Sequence, residues 1–90
     1  MNLEEAFGQA VRLRRRGARL NQEEFAALLV LNQGAVSRIE NGQGSLTLDM
    51  VARIAAALRT TPSALMQEAQ NLHGYTPLPD GRPRRTRNID

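Results

Sequence analysis

Residues 22–41 read QEEFAALLVLNQGAVSRIEN, and the spacing of their apolar and polar residues predicts two short helices joined by a tight turn. Phe25 and Leu29 are four residues apart, so they share one face of a helix. Asn32 has a side-chain oxygen suited to accept a hydrogen bond from a free amide of a second helix, which would begin at Gln33. The stretch is therefore typical of a helix, a turn and a second helix.

The second predicted helix has an inner and an outer face. Val36 and Ile39 are expected to face inward, and Ala26 on the first helix presents only a methyl group where the two helices cross. The outer face is left with small and polar residues, namely Gln33, Gly34, Ser37 and Arg38. A helix that exposes such a face can enter the major groove of DNA.

Three segments, LNQEEFAALL, AVSRIENG and LTLDMVARIAAALRTTPSAL, resemble the Cro/repressor-type (Xre-like) helix-turn-helix domain of phage repressors, restriction-modification controllers and many bacterial antitoxins. The resemblance covers about residues 3–70 and rests on offsets that agree together. These are Gln22, Ala26, Val36 and the run Glu40-Asn41-Gly42. It implies an all-α, lambda-repressor-like DNA-binding domain of five helices, in which helices 2 and 3 form the helix-turn-helix.

The sequence departs from this family in the turn between helices 2 and 3. Val30 stands where the family usually has glycine. A β-branched residue at positive φ costs about 1 kcal/mol or more. The turn is therefore either strained or differently shaped.

Capping residues and apolar stripes predict the other helices. Asn2 with Glu5 has the form of a capping box for helix 1, and Thr47 can cap helix 4. Thr61 precedes a proline that suits the first position of helix 5. The expected core residues of these helices are Leu3, Phe7, Ala10, Val11, Leu48, Val51, Ile54, Ala55, Leu58, Leu65 and Met66. Leu65 and Met66, or Leu46, are also candidates for a dimer seam.

The chain divides into a folded domain, residues 1–71, and a flexible basic tail, residues 72–90. Residues 1–71 hold eight Arg against seven acidic residues, and residues 72–90 hold four Arg against two Asp, which together give the net charge of +3. Pro77, Pro79, Gly81 and Pro83 interrupt any periodicity in the tail. The tail either contacts DNA or a partner protein, or only makes the chain more soluble.

Composition argues against several classes of function. There is no cysteine and His73 is the single histidine, so we expect no metal site and no cofactor. No apolar stretch approaches the ~18 residues of a membrane span, and no basic-then-apolar leader opens the chain. We therefore expect no membrane partner, and a cytoplasmic protein of a bacterium or phage. The sequence has no carboxylate pair, activated nucleophile or glycine-rich phosphate loop that would suggest an enzyme. No small-molecule ligand is expected.

Five arginines crowd the end of helix 1 within eight residues, at Arg12, Arg14, Arg15, Arg16 and Arg19. They suit the helix dipole and a phosphate backbone, or they form a solvated face. The resemblance implies a different role for Arg15, which would form a structural ion pair with Glu40 and tie helix 1 to helix 3.

The outer face of helix 3 supplies the predicted base contacts. Gln33 lies at its start and can make two hydrogen bonds to adenine N6 and N7. Arg38 can bond guanine or hold a phosphate, and Ser37 can bond either kind of group. Gly34 leaves a position without a side chain, which indicates either a close approach of the backbone to a thymine methyl or phosphate, or relaxed specificity.

Phosphate contacts are predicted at helix ends, as the family uses them. Asn21 and Gln22 bring an amide side chain and backbone amides to the start of helix 2. Asn41 follows the end of helix 3, and Asn32 and Arg12 complete the predicted phosphate-contacting set.

The leading hypothesis is a regulator that binds specific double-stranded DNA. It would act as a repressor and as a homodimer whose recognition helices lie about 34 Å apart on a partly palindromic operator. The alternative is an antitoxin-like protein that neutralises a partner toxin and regulates its own operon. A neighbouring toxin-like reading frame would distinguish the two.

Overall fold

Five helices form the part of the chain that the structure, a computed structural model, describes, which is residues 1–74. They are α1 (Leu3–Gly17), α2 (Gln22–Leu29), α3 (Gln33–Glu40), α4 (Leu48–Ala57) and α5 (Pro62–His73). No strand occurs within these residues. The prediction of an all-α, five-helix fold is thus confirmed. From residue 75 onward the predicted tail lies outside the described residues.

Each helix begins at a side-chain cap that the sequence favours. The cap oxygen accepts a hydrogen bond from the backbone amide three residues later, over distances of 2.7–3.1 Å. Two of these ends are complete capping boxes, because Glu5 and Glu24 also accept from the backbone amides of their cap residues. The five caps are Asn2, Asn21, Asn32, Thr47 and Thr61.

The core lies between α1 and the other helices, with α1 packed along α5 and against α3. Its largest fully buried apolar side chains are Phe25, Leu29, Ile54, Leu65, Val11 and Val36. Leu65 is therefore a core residue and is unavailable for a dimer seam in this fold. Leu46 and Met66 are partly buried against the core.

The prediction that Leu48 belongs to the core is wrong, because its exposed fraction is 90%. It occupies the first helical position of α4, immediately after the cap Thr47. Ala55, the buried residue on the same face, lies two turns further on, about 10 Å along the helix axis. At the start of α4, Met50 and Val51 pack against the core, and Leu48 lies outside it.

Val30, in the turn between α2 and α3, has φ 57° and ψ 44°, so the backbone is left-handed there. The turn is therefore of the strained kind, since a β-branched residue is costly in this conformation. Arg53 of α4 donates from Nη2 to the carbonyl oxygen of Leu29 at 2.5 Å. Since α2 has no basic residue in its own last turn, Arg53 supplies the positive charge that this helix end favours.

Two glycines bring the backbone of α1 against the end of α3. A Cβ on Gly8 would lie 2.5 Å from the carbonyl oxygens of both Ile39 and Glu40. Gly42 has φ +73°, and its Cβ would lie 2.7 Å from the Cα of Glu5. Direct backbone packing at these points fixes where the carboxyl end of α3 sits relative to α1.

Candidate nucleic-acid interface

A buried ion pair connects α1 to α3. Arg15 donates from Nε to Glu40 Oε2 at 2.6 Å and from Nη2 to Glu40 Oε1 at 3.1 Å, which is a two-pronged geometry. The side-chain exposed fractions are 7% for Arg15 and 0% for Glu40. Arg15 Nη1 also donates to the carbonyl oxygen of Leu20 at 2.7 Å, before α2 begins. The geometry is the one that the resemblance implied for Arg15 and Glu40.

Glu40 accepts hydrogen bonds from two further side chains. Gln22 Nε2 lies 3.0 Å from Glu40 Oε1, and Arg12 Nε lies 3.4 Å from the same oxygen. Arg12 Nη2 also donates to Asn41 Oδ1 at 3.2 Å. One carboxylate of α3 therefore contacts side chains of α1 and α2, and Arg12 extends the network to Asn41, the residue that follows α3.

The charge state of Glu40 follows from these contacts. Burial by itself would raise the pKa of this carboxyl group. The hydrogen bonds from Arg15 and Gln22, together with the charge of Arg15, outweigh that effect, so the pKa of Glu40 lies below its ordinary value. The carboxylate is ionised at neutral pH and holds its donors in place.

The hydrogen-bond network continues to the outer face of α3. Gln22 Oε1 accepts from Gln33 Nε2 at 2.5 Å. Gln33 still has one donor, the second hydrogen of Nε2, and one acceptor, Oε1. Recognition of an adenine edge requires one donor and one acceptor. Gln33 is exposed, so its side-chain amide is bonded to Gln22 on one side and faces solvent on the other.

The other two predicted base-contacting residues occupy different parts of the same face. Ser37 lies one turn from Gln33 and is half-buried. Arg38 is exposed and reaches toward the loop after α3, where its Nη2 lies 3.6 Å from the position that a Cβ on Gly44 would take. Gln33 and Ser37 are thus neighbours on the outer face of α3, whereas the side chain of Arg38 lies toward the loop that follows the helix.

Four of the predicted phosphate-contacting residues lie at the ends of α2 and α3, and the fifth, Arg12, lies on α1. Asn21 and Asn32 use their Oδ1 atoms as helix caps. Arg12 and Asn41 bond to each other beyond the carboxyl end of α3. Gln22 bonds to two side chains within the fold. Contact of these five residues with phosphate stays a prediction, and three of them have an internal role that the sequence did not indicate.

The arginine cluster is neither one solvated face nor one phosphate-binding surface. Arg14 donates to both carboxylate oxygens of Glu68 on α5, with Nε at 3.0 Å from each. Arg12 and Arg15 contact Glu40. Arg16 and Arg19 are exposed. Three of the five arginines therefore hold helices together, because acidic partners far along the chain lie opposite them.

Sequence reasoning missed two positioning residues, Arg53 and Gly8. Arg53 carries no local signal, since its acceptor is the carbonyl oxygen of Leu29 on another helix. Gly8 gave a usable signal, because a glycine inside an apolar helical stripe often marks a close approach of backbones.

Two further observations apply to residues 1–74. Within this range no three His, Cys, Asp or Glu side chains lie close enough together to hold a metal ion. None of the helices described there has the length and apolar character needed to cross a membrane.

A bundle that carries an outward-facing α3 on a helix-turn-helix defines a class of DNA-binding domain. The helix-turn-helix family matches residues 11–65, more than half of the chain. The chain belongs to this family, in its Cro/C1-type, Xre-like form. It is a DNA-binding transcriptional regulator.

Solved structures agree with this assignment. The clp gene regulator ClgR from Corynebacterium glutamicum is 25% identical, with a TM-score of 0.76 over 79% of this chain and 91% of that chain. The restriction-modification controller protein C.AhdI from Aeromonas hydrophila is 35% identical, with a TM-score of 0.64 over 70% of this chain and 90% of that one. No curated protein sequence matches this chain.

A third similar structure, FeII HppE, is 32% identical over 71% of this chain, with a TM-score of 0.68. The match covers only 34% of that chain. It supports the fold alone, because most of FeII HppE has no counterpart here.

Proposed function

We propose that this regulator represses transcription by binding a partly palindromic operator as a homodimer. The observation that carries the proposal is the chain of contacts that runs from the buried pair of Arg15 and Glu40, through Gln22, to the exposed Gln33. Such a chain fixes the amide of Gln33 before DNA arrives, so that little conformational entropy is lost on binding. A rigid polar side chain at the start of an exposed helix suits direct reading of a base edge.

The proposal of a dimer follows from the small number of cations near α3 among residues 1–74. Arg38 is exposed on α3, whereas Arg12 is already bonded to Glu40 and Asn41. With so few phosphate contacts, one subunit should bind weakly and with a moderate dependence on salt. Two copies related by a two-fold axis would double the contacts and place two α3 helices about 34 Å apart, in successive major grooves.

The two similar regulators support an output at the level of gene expression. Their names describe control of clp genes and control of a restriction-modification system. Repression is an output that a DNA-binding domain can produce by itself, through occupation of DNA that overlaps a promoter.

The experiment that tests the proposal is selection of bound duplexes from a random library at near-physiological salt, followed by sequencing. An enriched inverted repeat with one-turn spacing supports a dimeric, sequence-specific regulator. Gln33→Ala should relax the preference at one or two bases of each half-site, at a cost of about 1–3 kcal/mol on the best site. Gln67→Ala, on the exposed surface of α5, is the matched control and should select the same repeat.

An unenriched pool would contradict sequence-specific binding by this chain alone. The antitoxin-like function would then become the better hypothesis, and capture of a partner encoded in a neighbouring reading frame would test it. A single half-site without a repeat would leave DNA recognition standing but would contradict the dimer.

A further inference from the structure

Gly34 is a glycine that the free protein does not require. A Cβ added there would have only Asn32 Oδ1 within 4 Å, at 3.4 Å. At Gly8, in contrast, a Cβ would meet backbone atoms at 2.5 Å. Glycine also favours a helix less than any residue except proline. Packing in the free domain therefore gives no reason for glycine at position 34.

Gly34 lies at the middle of the exposed face of α3. With about 100° of rotation per residue, Ser37 lies about 40° from Gln33, Gly34 about 100° and Arg38 about 140°. Gly34 is thus flanked by the residues that the proposed function assigns to DNA. A helix that enters the major groove with this face forward brings Gly34 and Ser37 closest to the bases.

A groove of about 550 Å³ opens beside this position, between α3 and the loop that follows it. Its apolar lining residues are Leu31, Ala35, Ile39, Leu46 and Met50, and Gly34 forms part of its wall. Arg38 also lines the groove, with its guanidinium group near Gly44. The lining also includes the polar residues Asn32, Gln43, Ser45 and Thr47. The groove therefore has a mixed lining, with an apolar part that adjoins Gly34 and Ala35 and a cation at Arg38.

We propose that Gly34 and Ala35 read thymine through its C5-methyl group, with Arg38 on the phosphate beside it. The proposal rests on the proposed DNA-binding function and adds a specificity-determining residue to it. The major groove edges of the base pairs offer one apolar group, which is this methyl. The missing side chain at Gly34 leaves room for the methyl to reach the apolar part of the groove, beside Ala35. The positive charge of Arg38 complements the negative charge of the adjoining DNA phosphate.

The proposal predicts which base positions tolerate loss of a methyl group. In the selected operator, each thymine is replaced in turn by deoxyuridine, and the dissociation constant is measured by fluorescence anisotropy. One thymine in each half-site should matter for the wild-type protein, with about a fourfold loss of affinity on removal of its methyl. Replacement of the other thymines should have little effect.

Gly34→Ala gives the complementary measurement, since its new methyl group would occupy the same space. The variant should bind the thymine operator more weakly than the wild type does, and it should lose or reverse the preference for thymine over deoxyuridine at that one position. Its melting temperature should be no lower than that of the wild type, because the Cβ has room. Gly17→Ala, at the end of α1 with nothing within 4 Å of its Cβ, is the control and should keep wild-type affinities.

Two results would overturn the inference while the proposed function stands. One is an operator in which no thymine methyl affects wild-type binding. The other is a Gly34→Ala variant with the wild-type ratio of affinities for thymine and deoxyuridine. An unenriched library would overturn the proposed function itself, and the inference with it, so the two failures are distinguishable.

Discussion

Removal of the charge of Arg15 should cost the domain a large part of its stability. Arg15→Met keeps most of the aliphatic stem but leaves the Glu40 carboxylate without its two shortest charged contacts, at 2.6 and 3.1 Å. The Glu40 side chain has no exposed area, so water cannot replace the lost donors without a rearrangement of the core. The carbonyl oxygen of Leu20 loses a donor as well.

The expected magnitude follows from these contacts. Breaking a buried ion pair by removal of one partner costs about 3–5 kcal/mol. Arg12 and Gln22 still donate to Glu40 in the variant, which favours the lower end of that range. A loss of about 3 kcal/mol corresponds to a fall in melting temperature of roughly 12–24 °C for a domain of this size.

The assay is thermal and urea unfolding at pH 7, followed by far-ultraviolet circular dichroism. Arg16→Met is the matched control, because Arg16 is the next residue of the same helix and is exposed. It should change the free energy of unfolding by less than about 0.5 kcal/mol. The double variant Arg15→Met with Glu40→Met should be more stable than Arg15→Met alone, since no buried charge is then left unpaired. Equal unfolding free energies for the Arg15→Met and Arg16→Met variants would refute the reasoning.

Three further predictions concern other contacts. Gly8→Ala should lower the free energy of unfolding by about 1–3 kcal/mol, because its Cβ would overlap with the last carbonyl groups of α3. Gly17→Ala has room for its Cβ and should raise the free energy of unfolding by up to about 1 kcal/mol. Equal effects of the two substitutions in urea unfolding would contradict this. Because the pKa of Glu40 is lowered on folding from about 4.5, its contribution is complete above that pH and is lost as the pH falls through the folded-state pKa. The melting temperature of the wild type should therefore fall more steeply below pH 4.5 than that of Glu40→Gln, and parallel curves would argue against it. Arg53→Met should cost about 1 kcal/mol at the end of α2, and Val30→Gly should gain up to about 1 kcal/mol, with the opposite order in urea unfolding as the refuting result.

Local chemistry made the helix boundaries predictable. The Asn and Thr caps act on amides only three residues away, so their effect can be read from sequence without knowledge of the tertiary fold. The apolar stripe around Phe25 and Val36 was predictable for a similar reason, because helical period determines which residues share a face. The resemblance added the order of the helices and the pair of Arg15 with Glu40.

Contacts between distant elements were not predictable from local pattern. The pairing of Arg14 with Glu68 requires α1 and α5 to lie side by side, and no feature near Arg14 specifies that partner. The exposure of Leu48 depends on where the core ends, which is a property of packing and not of helical period. The hydrogen bond from Arg53 to the end of α2 is of the same kind.

Gln22 is expected to affect both the stability of the domain and its preference for particular bases. The sequence suggested a phosphate contact, whose loss would weaken binding to all DNA sites alike. In the fold, the two ends of the Gln22 amide bond Glu40 and Gln33. Loss of this side chain would remove a donor from the buried carboxylate and would also free the Gln33 amide to rotate. Both the free energy of unfolding and the preference for particular bases should therefore respond to the same substitution, which a contact with phosphate alone would not produce.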